Sequence, residues 1–141
     1  MTVSYSTTLK TNRMQIMSDM VSNKVAGAST GTATAGKLVI GTASLSGATG
    51  VLVTIPLAVT PFTISGAVAT LAGTPLSAAA SGAGTQTAAL AAIRTSADVD
   101  VVTGLTVGTS GTDVILNSTS ITNGQTVTIS GAPPSTITHS P

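Results

Sequence analysis

Side chains able to do acid–base or covalent chemistry are few in this chain, and none sits in a pattern that would put it to work. The 141 residues include one histidine, no cysteine and four acidic residues, all of them aspartate. His139 lies two residues from the end, in a proline-rich tail. A general base needs a fixed partner and a site closed to water, and a nucleophile needs a base beside it. A chain end supplies neither, so His139 reads as a solvated tail residue. Without cysteine there is no thiolate nucleophile, no disulfide and no thiolate zinc site.

Asp98 and Asp100 form an Asp-x-Asp pair. On a strand, residues two apart share a face, so both carboxylates would meet a hard cation such as calcium or magnesium together. Calcium takes roughly six to eight oxygens, and Asp113 is the one further candidate in this half of the chain. The pair therefore reads as solvent-facing, or as edge charge that discourages unwanted strand pairing. The run Gly108, Thr109, Ser110, Gly111, Thr112, Asp113 has the glycines of a phosphate loop, but no lysine follows it and it leads into a strand. It reads as a hairpin turn in which glycine supplies a positive φ. No enzyme activity, cofactor or metal is expected.

Charge and composition narrow the partners. Charged residues are 6% of the chain and the net charge is +1. Lys10, Arg13, Lys24, Lys37 and Arg94 are scattered rather than clustered, so no nucleic-acid face is expected. The longest apolar run, residues 51–59, is broken by Thr54 and Pro56 and is too short to span a bilayer, so no membrane partner is expected. One tyrosine, one phenylalanine and no tryptophan leave an interior of small aliphatic residues. Each large aliphatic or aromatic side chain buried contributes about 1.5–3 kcal/mol and alanine much less, so such a core is thin and gains from assembly with a partner.

The elements that must carry these residues are legible as a helix followed by strands. Leu9, Ile16, Met17, Met20 and Val21 recur at helical spacing over residues 6–25, with Lys10, Arg13, Asp19 and Lys24 mostly on the other side. Ser6, or else Ser4, is the N-cap, and residues 26–36 are a flexible connection. Met14, Met17 and Met20 read as core or partner packing. Strands are predicted at 37–40, 51–59, 62–71, 90–95, 99–107, 112–117 and 125–130, a spacing that points to a sandwich or barrel. Asn123 and Gly124 suit a type I′ turn. Residues 73–89 read as a long loop, with helix an option at 87–93, and residues 131–141 as an extended tail too rich in proline to pair as an interior strand. The chain thus divides into a helical arm and connection (1–36), a β-sandwich domain (37–130) and a tail (131–141).

Residues 104–121, GLTVGTSGTDVILNSTSI, followed by Gly124, Val127 and Ile129, resemble the C-terminal part of the small capsid decoration or cement proteins, often termed minor head proteins, of tailed double-stranded DNA bacteriophages. Tyr5, Ser6 and Thr7 opening into the helix, and the strand Lys37, Leu38, Val39, Ile40, add to the likeness. A departure is the strand before the glycine-rich turn, where Leu90, Ala91 and Ile93 stand in place of aromatic residues. The resemblance implies a mainly β, jelly-roll-like antiparallel sandwich with an N-terminal helix and an extended C-terminal tail. It also implies a homo-oligomer, a dimer rather than a trimer, on the outer surface of the virion capsid, where it cements neighbouring copies of the major capsid protein against internal DNA pressure.

Contacts with capsid or sister copies are expected from Leu9, Met14, Met17, Met20 and Val21 of the helix, from residues 26–36, and from Pro133, Pro134 and Ile137 of the tail. These segments are apolar or low in charge and hard to bury in a small sandwich. The alternative is a phage fibre or tail module, or a bacterial adhesin module, that recognises a host surface receptor. Such a module needs an exposed aromatic platform for sugar stacking, and only Tyr5 and Phe62 are candidates.

Overall fold

A computed structural model describes residues 3–129 and 135–138. The chain opens with helix α1 (Thr7–Val21). Ser6 has extended dihedrals and its Oγ accepts from the Leu9 N–H at 3.2 Å, which satisfies one of the donors a helix start leaves open. The helix ends before residue 25, the limit its apolar periodicity suggests, because Asn23 turns left-handed, at φ 59°. The Asn23 N–H then donates to Met20 O and the Lys24 N–H to Asp19 O, the paired bonds of a Schellman cap.

Among the described residues twelve strands follow: β1 (Lys37–Ser46), β2 (Thr49–Pro56), β3 (Phe62–Ser65), β4 (Val68–Leu71), β5 (Leu76–Ala79), β6 (Thr85–Thr87), β7 (Leu90–Arg94), β8 (Asp100–Gly108), β9 (Val114–Ile115), β10 (Ser120–Thr122), β11 (Thr126–Ile129) and β12 (Thr136–Thr138). The fold is mainly β with one N-terminal helix, and its curled sheets form a β-sandwich. One layer is a five-stranded sheet in the order β2-β1-β7-β8-β9. The other strands pair in three small sheets, β12-β4-β3, β11-β5 and β10-β6. Leu38, Ile40, Leu52, Ile55, Ile93 and Leu105 of the large sheet share one core with Phe62, Leu71, Ile121, Val127 and Ile129 of the small ones and with Met14 and Val21 of the helix. Among the described residues, the only aromatic ring in that core is Phe62.

Several local expectations change. Residues 62–71 are a hairpin, folded at Gly66 with φ 57°, because a glycine in left-handed geometry reverses the chain where the apolar pattern predicts a continuous strand. Residues 73–89 are not a loop: they hold β5 and β6, whose partners β11 and β10 are supplied from far along the chain. The strand predicted at 90–95 is present as Leu90–Arg94 and the helix option at 87–93 is not taken, with Ala91, Ala92 and Ile93 buried in the centre of the large sheet. The glycine-rich run is not a hairpin turn, since β8 and β9 lie parallel, with Val107 opposite Val114. Gly111 does carry the positive φ, 66°. The turn at Asn123 and Gly124 is present, with the Gln125 N–H donating to Thr122 O at 2.9 Å, but only Gly124 has positive φ, so it is not type I′.

The tail also departs from expectation where it is described. Thr136–Thr138 pairs antiparallel with β4, and the Ser135 hydroxyl accepts from the Ile115 N–H at 3.0 Å, so this part of the tail lies on its own domain. Pro133, Pro134 and His139 fall outside the described residues.

Candidate functional site

The acidic residues come first, because each has a structural task. Asp98 is in a left-handed turn with φ 63°, not on a strand, and both its oxygens lie 2.9 Å from Lys37 Nζ. Asp100 accepts from Arg94 Nε at 2.5 Å, and Arg94 Nη2 donates to Gly47 O at 2.8 Å. The Asp-x-Asp pair is thus divided between two cations instead of converging on a metal. Asp113 Oδ2 accepts from Thr106 N and Thr106 Oγ1, at 2.9 and 2.7 Å, which staples the glycine-rich loop to β8. Among the described residues no three His, Cys, Asp or Glu side chains gather where a metal ion would fit.

Asp19 is placed differently from its expected position on the polar side of the helix. It is 1% exposed, under the turn that follows α1. Its carboxylate accepts from Gln15 Nε2 at 2.9 Å, from Ser29 Oγ at 2.9 and 3.1 Å, and from the Gly27 N–H at 3.0 Å. Val25 and Thr30 bridge across the same turn. This part of the connection, expected to be flexible, is therefore tied to the helix by one carboxylate. Burial raises the pKa of Asp19, but hydrogen bonds from the Gln15 and Ser29 side chains and from the Gly27 and Ser29 backbone outweigh it and leave the group below its ordinary value.

A carboxylate with a depressed folded pKa contributes stability that is complete above its unfolded pKa, about 3.9, and is lost as the pH falls through the folded value. Asp19→Ala is expected to lower stability at pH 7 by about 1–3 kcal/mol, since the buried donors it leaves keep their desolvation cost. The variant should also show a shallower loss than the parent as the pH is taken down through the carboxylate range. Urea melts at stepped pH check both; parallel acid profiles would count against this role.

What remains for interaction is the outer face of α1. Among the described residues, the large apolar side chains that stay exposed are Val3, Leu9, Ile16, Met20, Val25, Val59 and Val99, and five of these lie within residues 3–25. Leu9, Ile16 and Met20 are spaced seven and four apart, so they form one stripe along the helix. They are 40%, 39% and 46% exposed, and Val25 extends the stripe past the cap at 57%. The inner face is a second apolar row, Met14 and Val21, with Met17 packed partly against the core.

Of the residues expected to meet a partner, the structure brings Leu9 and Met20 together on the outer stripe. Met14 and Val21, expected to meet a partner, are instead packed into the protein's own core, at 4% and 0% exposure. Met17 and Ile137 are partly buried against that core, Ile137 through the pairing of β12 with β4. Ile16, part of the apolar periodicity but not among the expected contacts, is the stripe's middle residue.

Lys10 and Lys24 have no acidic partner among the described residues, where the ion pairs are Lys37 with Asp98 and Arg94 with Asp100. The Arg13 guanidinium lies 4.3 Å from the centre of the Tyr5 ring. Between the helix, β8 and β12 runs a groove of about 490 Å3 lined by Arg13, Met14, Met17, Leu105, Ile137 and Thr138. Inside the sandwich, by contrast, the space beside Leu38, Phe62 and Ile93 is about 10 Å3, too small for a small-molecule ligand. No known family, characterised protein or solved structure matches this chain.

Proposed function

We propose that this chain is a structural virion protein that binds the outer surface of a tailed-bacteriophage capsid and cements neighbouring copies of the major capsid protein. The observation that carries the reading is the uncovered apolar stripe of Leu9, Ile16 and Met20, on a helix already anchored to a sandwich by its other apolar face. A protein meant to stay apart from others does not need two apolar faces on one surface helix. The scarcity of charge and the structural use of all four aspartates favour a binding rather than a catalytic role. The resemblance of residues 104–129 to phage cement proteins supplies the capsid as partner. Acting as a dimer, each copy would hold by weak contacts that gain strength once the first is engaged, because the second then binds at high effective concentration.

The receptor-binding alternative loses its platform. Phe62 is 5% exposed in the core, and Tyr5 is partly buried with Arg13 over its ring. Sugar stacking needs an aromatic face open to solvent.

Mixing the purified protein with capsids stripped of their decoration tests the reading. Saturation at a fixed, high number of copies per particle, with a rise in the particle's heat resistance, is the expected result. Binding of a few copies at one vertex would point to a fibre or tail component, and no binding would remove the capsid as partner.

A further inference from the structure

We propose that Asn123 is a latent self-modification site, an Asn-Gly pair held unreactive by a hydrogen-bond clamp and released to deamidate when the clamp opens. The reaction is intramolecular. The Gly124 backbone nitrogen attacks Asn123 Cγ and a new N–C bond forms. The Cγ–Nδ2 bond breaks, and the amide leaves as ammonia carrying the proton from Gly124. Water then opens the five-membered imide at either carbonyl, giving aspartate or isoaspartate. No oxidant, cofactor or second protein is needed. Glycine after asparagine favours the step because it has no side chain to block the attack and adopts conformations closed to other residues.

Both residues are exposed, so burial does not protect them. Hydrogen bonds hold the reacting atoms apart instead. The nucleophile's own N–H donates to Ala80 O at 2.8 Å. The leaving group, Asn123 Nδ2, donates to Gly82 O at 3.0 Å. A third bond, from the Asn123 N–H to Gly84 O at 2.9 Å, fixes the residue between them. All three acceptors sit on the 80–84 turn, which is itself anchored where the Ser81 and Gly82 N–H groups meet Leu52 O at 2.9 and 3.0 Å. To react, Gly124 N must leave Ala80 and the Asn123 side chain must swing from Gly82, so the rate follows the opening of this contact.

The change is one-way. The imide has neither the Gly124 N–H nor Nδ2; its hydrolysis restores the N–H but not Nδ2, so Gly82 O loses its side-chain donor for good. Isoaspartate lengthens the backbone by one atom between β10 and β11, and either acid adds a negative charge to a chain that has four. The modified turn does not re-dock as before.

The test is to incubate the full chain at mildly alkaline pH, folded and in guanidinium chloride, and to quantify aspartate and isoaspartate at position 123 by peptide mass mapping. The folded chain is expected to react at least about tenfold more slowly than the unfolded one. Gly82→Ala loosens the clamp, because its new Cβ would lie 2.8 Å from Leu52 Cδ2 and 3.0 Å from Leu52 Cα, and it should raise the folded-state rate several-fold. Equal rates in folded and unfolded wild type overturn the proposal, as does a folded Gly82→Ala variant that reacts no faster than wild type. If Gly82→Ala fails to fold, amide exchange at Gly124 of the wild type decides: slow exchange supports the clamp and fast exchange overturns it.

Discussion

Gly36→Ala is expected to destabilise the protein by about 1–3 kcal/mol, and Gly36→Val by more, through overpacking at the junction of helix and sheet. A Cβ at position 36 would lie 2.5 Å from Val21 Cγ1, 2.7 Å from Arg94 O and 2.9 Å from Val21 O. Two of these neighbours are backbone atoms, so no rotamer change relieves the clash. Moving Val21 would expose a side chain now at 0%, and moving Arg94 would disturb the guanidinium that holds both Asp100 and Gly47 O. Gly36 also accepts the Leu57 N–H at 2.9 Å, so a shift away from the helix breaks the contact with the end of β2. A urea midpoint is the measurement. A change below about 0.5 kcal/mol, the usual effect of a surface substitution, would mean that the helix can shift at little cost and is not seated as described.

That glycine illustrates what a sequence conceals. Residues 26–36 read as a small-residue connection, and in such a stretch a glycine needed for a turn and one needed for close approach look the same. Gly27, at φ 80°, is of the first kind, and Gly36 is of the second. Gly41 is another of the second kind, with Gly50 O 2.5 Å from where its Cβ would stand. The helix, its Ser6 cap, and the strands around residues 37–40, 90–94 and 126–129 are legible because local pattern and tertiary role agree there. β5 and β6 are not, since neither alternates large apolar with polar residues: Leu76 is followed by Ser77, Ala78 and Ala79, and Thr85 by Gln86 and Thr87. Their strand identity comes from β11 and β10, contacts that no short window contains.

The candidate surface is half legible for a related reason. Periodicity finds apolar rows on a helix, but α1 has two, and nothing local says which one the sandwich takes. The sandwich covers Met14 and Val21, leaving Leu9, Ile16 and Met20 outside. Periodicity also misplaces Asp19, because its hydrogen-bond partners beyond the helix, Gly27 and Ser29, lie in a turn whose path depends on the left-handed residues Asn23 and Ser29. An aspartate four residues after a glutamine and shortly before a glycine-rich turn is the available signal, and it is a weak one.

The two rows give a prediction in which stability and attachment separate. Met14→Ala removes a side chain 4% exposed in the shared core and is expected to cost about 2–5 kcal/mol of folding free energy, the range for truncating a buried methionine. Met20→Asp changes a residue 46% exposed on the same helix, and an exposed substitution shifts stability by no more than about 0.5 kcal/mol. Attachment to capsids should respond in the opposite order. Met14→Ala, assayed well below its melting temperature, presents an unchanged stripe and should bind as the parent does. Ile16→Asp combined with Met20→Asp places two carboxylates in the middle of the contact, where each must be desolvated against an apolar partner surface. If the pair supplies an anchor worth about 2 kcal/mol or more, apparent affinity falls by at least about tenfold. In a dimer that engages several subunits the loss applies at every contact, so occupancy should collapse over a narrow range of concentration. Copies bound per stripped particle, beside urea melts of the same samples, read both effects. A doubly substituted protein that still saturates capsids at parental concentrations would place the contact elsewhere on the molecule. Loss of binding by Met14→Ala while it remains folded would mean that the inner row, and not the outer one, faces the shell.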